Sequence, residues 1–193
     1  MASAIEICNS ALIRLGANTI TSFTDNTTEA KACNQIYERV RDAVLVAHPW
    51  NFALVRESLA KLSSTPSWGY ANEFQLPVNC LRVVEVQDKA IKYEIEGRKI
   101  LANIDPFNIK YISQVTSTGY FSNQFREALE KKLALELAFL IVQSSTQQQL
   151  LQQEYDMALA DARSFDAQEC GPESYIYDDF INSRVSGVDF GEI

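Results

Sequence analysis

Residues able to carry acid–base or nucleophilic chemistry are few in this chain of 193 residues. His48 is its only histidine, so any serine or cysteine nucleophile has a single candidate base. The sequence contains no glycine-rich phosphate loop, no Gly-x-Ser-x-Gly elbow and no His-Glu-x-x-His zinc motif. We therefore expect a protein that is not an enzyme and binds no cofactor. An enzyme whose site is built from His48, Tyr93 and Glu94 stays an alternative.

Candidate metal ligands are also sparse. The cysteines are far apart and form no Cys-x-x-Cys pair: Cys8, Cys33, Cys80 and Cys170. This spacing indicates buried thiols in a reducing compartment rather than a zinc site or a disulfide framework. Asp178 with Asp179, and Asp156 with Asp161, carry oxygens suited to a cation, but a solvated acidic face explains both pairs. We expect no metal site.

The distribution of charge excludes several classes of partner. The chain carries 25 acidic and 17 basic residues, a net charge of −8, and residues 154–193 hold ten of the acids but only Arg163 and Arg184. Residues 1–153 therefore balance, and the acidity belongs to the C-terminal end. Such a surface repels DNA rather than holding its phosphates. An acidic DNA mimic that occupies a host DNA-binding protein stays the alternative function.

The acidic end also contains an aromatic segment. Gly171-Pro172 ends regular structure, and the arm over residues 170–193 carries four large aromatic side chains that it cannot bury by itself: Tyr175, Tyr177, Phe180 and Phe190. An arm of this composition orders itself by docking on another chain. We therefore predict that these four residues anchor the arm to a neighbour, with a disordered acidic tail as the alternative.

The elements that position these residues are helices at both ends of the chain. Helical periodicity covers residues 3–15, 27–46 and 122–145, and a fourth helix follows with apolar positions that include Leu150 and Phe165. Ser3 with Glu6 has the spacing of a capping box, and Asn26 is the expected N-cap of the second helix. Residues 143–146 are the expected turn between the last two helices.

Between the helix pairs the apolar period changes from 3.6 to 2. Ile91 to Ile95 and Arg98 to Ala102 alternate as strands on either side of Glu96-Gly97, which predicts a tight hairpin turn with Gly97 at positive φ. Further strands are expected at 74–76, 81–86 and 109–115. Together they predict one small antiparallel sheet of five or six strands.

These elements predict a mainly helical α+β protein. Residues 1–49 and 121–169 form a four-helix bundle domain, residues 50–120 form a β insertion domain, and residues 170–193 form an extended C-terminal docking arm. No apolar run is long enough to span a bilayer, so no membrane anchor is expected. The first residues, Met1 to Glu6, have no basic region and do not read as a signal peptide.

Several segments together resemble one family. They are residues 9–16, the motif His48-Pro49-Trp50-Asn51-Phe52, the strands over 74–83 and 93–100, and the closing helices over 125–138 and 155–162. In this order and spacing they are similar to the tail tubular protein A family, the head-to-tail adaptors of short-tailed bacteriophages. The resemblance spans about residues 5–166, and its motifs are packing motifs rather than catalytic ones.

The resemblance implies a structural virion component assembled in the host cytoplasm. Family members form a dodecameric ring between the portal and the tail nozzle (a tail tubular protein B-like partner), with tail fibres as a further partner in some phages. The ring extends the channel through which DNA passes without sequence-specific binding. We expect contacts between neighbouring subunits on the flanks of the helices over 27–46 and 122–145, with the arm reaching a neighbour or the portal.

Overall fold

The computed structural model describes residues 3–141 and 145–169 as a mixture of α-helices and antiparallel strands, which confirms the α+β prediction. The helices are α1 (Ala4–Arg14), α2 (Thr28–Ala47), α3 (Asn123–Ile141) and α4 (Ser145–Gln168). The strands are β1 (Leu54–Leu59), β2 (Asn72–Gln75), β3 (Cys80–Val86), β4 (Tyr93–Glu96), β5 (Lys99–Ala102) and β6 (Phe107–Ser113). No helix in these ranges is long and apolar enough to cross a membrane.

The N-terminal helices begin with side-chain caps. The Ser3 hydroxyl accepts from the Glu6 N–H at 3.2 Å and the Glu6 carboxylate accepts from the Ser3 N–H at 2.7 Å, so the predicted capping box is confirmed. The predicted cap of α2 is wrong by one residue, since Thr27 Oγ1 accepts from the Ala30 N–H at 3.2 Å. The Asn26 side chain instead accepts from Lys31 Nζ at 2.6 Å, so its oxygen is engaged away from the backbone N–H groups of the first turn.

The C-terminal helices differ from the prediction at the turn between them. The Ser122 hydroxyl accepts from the Phe125 N–H at 3.2 Å, as expected for the residue before α3. However, α3 ends at Ile141, so a helix over 122–145 is too long. Of the predicted turn, residues 145 and 146 already belong to α4, while 143 and 144 lie outside the described residues.

The strands form two sheets rather than one. The first sheet has the order β1–β6–β3 and the second has the order β2–β5–β4, each antiparallel with three strands. A single sheet was the wrong prediction because pairing joins strands that are distant in sequence, and local alternation does not specify such partners. Strand β1 was also missed, because its central residues are all exposed and show no apolar alternation.

The hairpin between β4 and β5 is present with a shift of one residue. Glu96 pairs with Lys99, so the two loop residues are Gly97 and Arg98 rather than Glu96 and Gly97. Gly97 has φ +57°, the left-handed conformation that the prediction assigned to it. Glu96 is therefore the last residue of β4, and its side chain belongs to a face of the second sheet.

Two buried clusters hold the fold together. One lies among the helices and includes Trp50, and α3 contributes to it along its length while packing against α1, α2 and α4. The other lies between the two sheets and includes Phe74 and Phe107, whose ring centroids are 5.3 Å apart. Strand β6 serves both clusters, because Ile112 faces the helices and Tyr111 faces the second sheet.

Candidate functional site

The segment that follows α2 is fixed to the far end of α4. His48 leaves the helical conformation as the C-cap of α2, as the proline after it requires. Its Nε2 lies 3.2 Å from Asp166 Oδ2, and the Asn51 N–H donates to Asp166 Oδ1 at 3.0 Å. The Asn51 side-chain amide donates to the Asp166 carbonyl at 2.6 Å. Residues 118 positions apart in sequence thus form one hydrogen-bonded junction.

Trp50 supplies the apolar part of this junction. Its indole N–H donates to the Val44 carbonyl at 2.9 Å, and its side chain is fully buried. The ring meets His48 and Phe125 edge to face, with centroids 4.9 and 5.1 Å apart. Arg163 completes the attachment by donating to the Ala47 carbonyl at 3.0 Å, which satisfies a carbonyl at the end of α2.

The electrostatics of the junction favour the neutral form of His48. Burial lowers the pKa of His48, while the charge and the hydrogen bond of Asp166 oppose that shift. Asp166 is itself buried, accepts from the Asn51 backbone and hydrogen-bonds with the His48 ring. A His–Asp pair orients an imidazole in many hydrolases, but here His48 packs against Trp50 as part of the helix junction.

The three residues of the alternative enzyme reading have different partners. Tyr93 packs edge to face on Phe107 at 6.0 Å, and Glu94 lies near Tyr70, whose pKa is raised by burial and by that carboxylate. Both belong to the second sheet, whereas His48 belongs to the α2–α4 junction. The structure therefore places these residues in separate environments instead of assembling them into one site.

The remaining predicted site residues fall in two groups. The docking residues of the arm, together with Asp178 and Asp179, lie outside the described residues: Tyr175, Tyr177, Phe180 and Phe190. Asp156 accepts from the Gln152 amide at 2.9 Å on α4. Within residues 3–141 and 145–169, no group of three acidic, histidine or cysteine side chains is placed to hold a metal ion.

Three of the four cysteines are in the described part of the chain, and all three are free and buried. Cys8 and Cys33 hydrogen-bond with each other between α1 and α2; this contact raises the pKa of Cys8 and lowers that of Cys33. Both thiols belong to the helical cluster. Their packing agrees with the prediction of buried thiols.

Sequence reasoning missed an exposed apolar surface on the last two helices. Leu150 and Phe165 were predicted to be apolar positions of the fourth helix, but both are more than half exposed, and Leu140 of α3 is 50% exposed. Phe139 and Met157 are also exposed, at 70% and 61%. We call these five residues the apolar band. Met157 is the available signal, because it follows Leu150 by two helical turns and lies about 100–120° around the helix from the buried Leu151 and Ala158.

The α4 part of the band forms a stripe that Glu154 and Asp161 interrupt. Leu150, Met157 and Phe165 lie within about 80° of one another around the helix and span about 22 Å along it. Arg14 of α1 pairs with Glu154 at 2.7 Å, which links α4 to α1. On α3, Lys132 lies 5.1 Å from the Tyr155 ring centroid, so α3 and α4 pack side by side at that position.

A scan against protein-family models finds no match for this chain, and a search of curated protein sequences finds none either. The arrangement is therefore interpreted from its own contacts. Two features have functional potential: the junction that locks α2 to α4, and the apolar band that the same helices leave exposed.

Proposed function

We propose that the protein is a structural virion component, a head-to-tail adaptor similar to tail tubular protein A. It assembles as a ring between the portal and the tail nozzle and extends the channel for DNA ejection. The motif around Trp50, which contributes to the resemblance, is the α2–α4 junction of the structure. An internal packing role for that motif is consistent with a structural protein rather than a catalyst.

The finer fold follows from this proposal. The four helices act as one bundle, with residues 50–120 inserted as a β domain. In support, α3 packs against each of the other helices, and Leu133 and Leu137 of α3 are fully buried among them. A rigid bundle of this kind is suited to carrying load between a capsid vertex and a tail.

The observation that carries the proposal is the apolar band. Five large apolar side chains on one helix pair are each at least half exposed, and groups of exposed apolar side chains often mark interaction surfaces. In a closed ring, one surface of each subunit covers a different surface of the next subunit. We assign the band to that contact, with the next subunit as its occupant.

This assignment places the interface between subunits on a different pair of helices from the pair expected from the sequence. Flanks of the helices over 27–46 and 122–145 were predicted, but the apolar residues of α2 are buried in the helical cluster. Arg39 of α2 is 64% exposed at the side chain and bridges to Glu136 of α3 at 3.0 Å. The α2 flank therefore offers charged contacts, while the apolar contact comes from α4 and the end of α3.

The charge of the chain fits a channel component. Each subunit adds a net charge of −8, so a ring repels DNA phosphates and lets the duplex pass without adhesion. The acidic arm over residues 170–193 is proposed to reach the portal or a neighbour, anchored by Tyr175, Tyr177, Phe180 and Phe190. The tail nozzle and, in some phages, fibres are the further partners.

Analytical ultracentrifugation of a variant tests whether the apolar band mediates association of the chain with itself. Met157→Glu/Phe165→Glu places two charges in the stripe, and we expect it to stay monomeric where the wild type associates. Val78→Glu/Tyr120→Glu is the matched control, because it adds two charges at positions outside the band that are 95% and 70% exposed. Equal association of the band variant and the wild type would contradict the assignment.

Truncation tests the arm separately. A chain that ends at residue 170 should keep its thermal transition but bind the portal protein of the same phage more weakly than the full chain. Unchanged binding would exclude the arm from the portal contact. A full chain that stays monomeric and captures a DNA-binding protein instead would favour the acidic DNA mimic.

A further inference from the structure

The outer face of the second sheet brings three glutamates together. Strand pairing places Glu73 and Glu94 on either side of Leu101, and Glu96 beside Lys99 in the next row. Side chains two residues apart share a face, so Glu94 and Glu96 point away from the cluster between the sheets. Leu101 is buried under this face. The face is therefore charged at its rim and apolar at its centre.

The loop between β1 and β2 folds over this face and is held at several points. The Ser64 hydroxyl donates to Glu73 Oε2 at 2.9 Å, and the Ala71 N–H donates to Asn103 Oδ1 at 2.8 Å. Burial and the neighbouring Glu94 carboxylate raise the pKa of Tyr70, and Gly69 turns the chain at φ +86°. Between loop and sheet lies a cavity of about 430 Å³, within the size range of binding pockets.

Trp68 lies at the mouth of this cavity and is 84% exposed. Trp50, the other tryptophan, is fully buried, so the exposure of Trp68 is specific to its place in the fold. Tryptophan is the side chain most enriched at the centres of protein interfaces, since a large ring gains much from being covered. Because the loop is anchored to the sheet, binding at Trp68 costs little ordering of the chain.

The charges around the cavity select a cation. Glu73 already holds Lys99 Nζ at 2.7 Å, and hydrogen bonds from Lys99 and Ser64 lower the pKa of Glu73. Glu94 and Glu96 are exposed, and Lys92 is the one remaining base among the residues that line the cavity. The lining thus keeps a net negative charge and also includes the indole ring of Trp68, the type of aromatic group that attracts cations most strongly.

We propose that this cavity, the Trp68 pocket, binds a guanidinium or ammonium side chain from a basic segment of a partner protein. The cation lies over the Trp68 ring while Glu94 and Glu96 accept its N–H groups. This inference does not depend on the apolar band, which lies on the helices and fits an apolar partner.

Binding of a fluorescein-labelled tetra-arginine peptide, followed by anisotropy with the full chain, tests the proposal. Trp68→Ala should weaken binding about tenfold and Trp68→Phe by less, because a phenyl ring retains part of the cation–π attraction. Glu94→Gln/Glu96→Gln should weaken binding about fivefold, since charge-assisted hydrogen bonds are lost. Glu38→Gln/Glu127→Gln, which removes the same charge from exposed helical positions, is the matched control.

The control separates a site from general attraction to an acidic protein. Equal weakening in the Trp68→Ala chain and the helical control would overturn the proposal, as would unchanged binding in both pocket variants. Maltotriose, a neutral trisaccharide, is the second probe. If it quenches the emission of Trp68 while the peptide does not bind, the pocket is a carbohydrate site and the cationic assignment is wrong.

Discussion

The helical and sheet regions of this protein differ in the kinds of side chain that they leave exposed. The helices bury a large cluster around α3 yet leave five large apolar side chains exposed on α3 and α4. The sheets bury a smaller cluster, and the exposed apolar residues of the sheet region are Val55, Val84 and Ile95 on strands and Trp68 and Val78 in loops. Five exposed apolar side chains on one helix pair suit an apolar partner, while one aromatic ring among carboxylates suits a single charged group.

The two regions are nevertheless physically continuous. Ile112 and Tyr111 on β6 face the helical and sheet clusters respectively. The segment just before β1 is tied to both ends of the helical region, since the Asn51 N–H donates to Asp166 of α4 and the Trp50 indole donates to Val44 of α2. We infer that the helices carry assembly and that the sheets carry recognition, on one connected framework.

The largest expected effect contrasts the two tryptophans. Trp50→Ala removes a fully buried ring and its hydrogen bond to Val44, and should cost about 3–5 kcal/mol of unfolding free energy. Trp68→Ala removes an exposed ring and should change that free energy by less than about 0.5 kcal/mol. Urea unfolding measures both. Equal losses would mean that Trp68 is packed rather than presented.

Truncations in the two clusters test whether the regions unfold together. Leu133→Ala in the helices and Phe74→Ala in the sheets each remove a fully buried side chain and should cost about 2–5 kcal/mol. Because β6 contributes to both clusters, we expect each variant to lower the same calorimetric transition. Two transitions, each moved by only one variant, would instead divide the chain into the predicted bundle and insertion domains.

Removal of the junction carboxylate should have a smaller effect. Asp166→Ala removes the carboxylate that accepts from the Asn51 N–H and contacts His48, and should cost about 1–3 kcal/mol. Asp161→Ala, at an exposed position on the same helix, is the control. Thermal unfolding would compare the stability of the two variants. Equal losses would show that the contacts of Asp166 stabilise the protein no more than an exposed carboxylate on α4 does.

The capping box of α1 tests how much one helix end contributes to the stability of the helical region. Ser3→Ala removes the acceptor for the Glu6 N–H and should cost about 1 kcal/mol. The loss should appear in the same transition as the helical cluster, since Ile7 and Leu12 of α1 are fully buried there. A variant as stable as the wild type would mean that α1 is fixed by packing alone.

The smallest effect concerns pH. Burial lowers the folded-state pKa of His48, so between that pKa and the ordinary value of about 6.5 the unfolded chain binds more protons. Stability should therefore be complete above that range and fall as the pH drops through it, and His48→Gln should remove this slope. Asp166→Asn should lower the pKa of His48 further, as titration of the single histidine by NMR would reveal; a rise would contradict the described environment.

The helices were more predictable from sequence than the sheets or the junction. Ser3, Glu6 and Ser122 form hydrogen bonds with residues three positions away, so these helix caps can be recognised from a short stretch of sequence. The pairing of β3 with β6, and of His48 with Asp166, joins distant residues and depends on the complete fold. The band was missed because leucine and phenylalanine, the residue types at 150 and 165, are typical of a core. Only the packing of the complete fold decides which apolar side chains stay exposed.

The native mass of the full chain, alone and mixed with the portal protein of the same phage, tests the central claim most directly. Native mass spectrometry should detect a closed ring, formed by the chain alone or only in the presence of portal, and Met157→Glu/Phe165→Glu should prevent it. A chain of 21.7 kDa that stays monomeric with and without portal would contradict assembly through the helices.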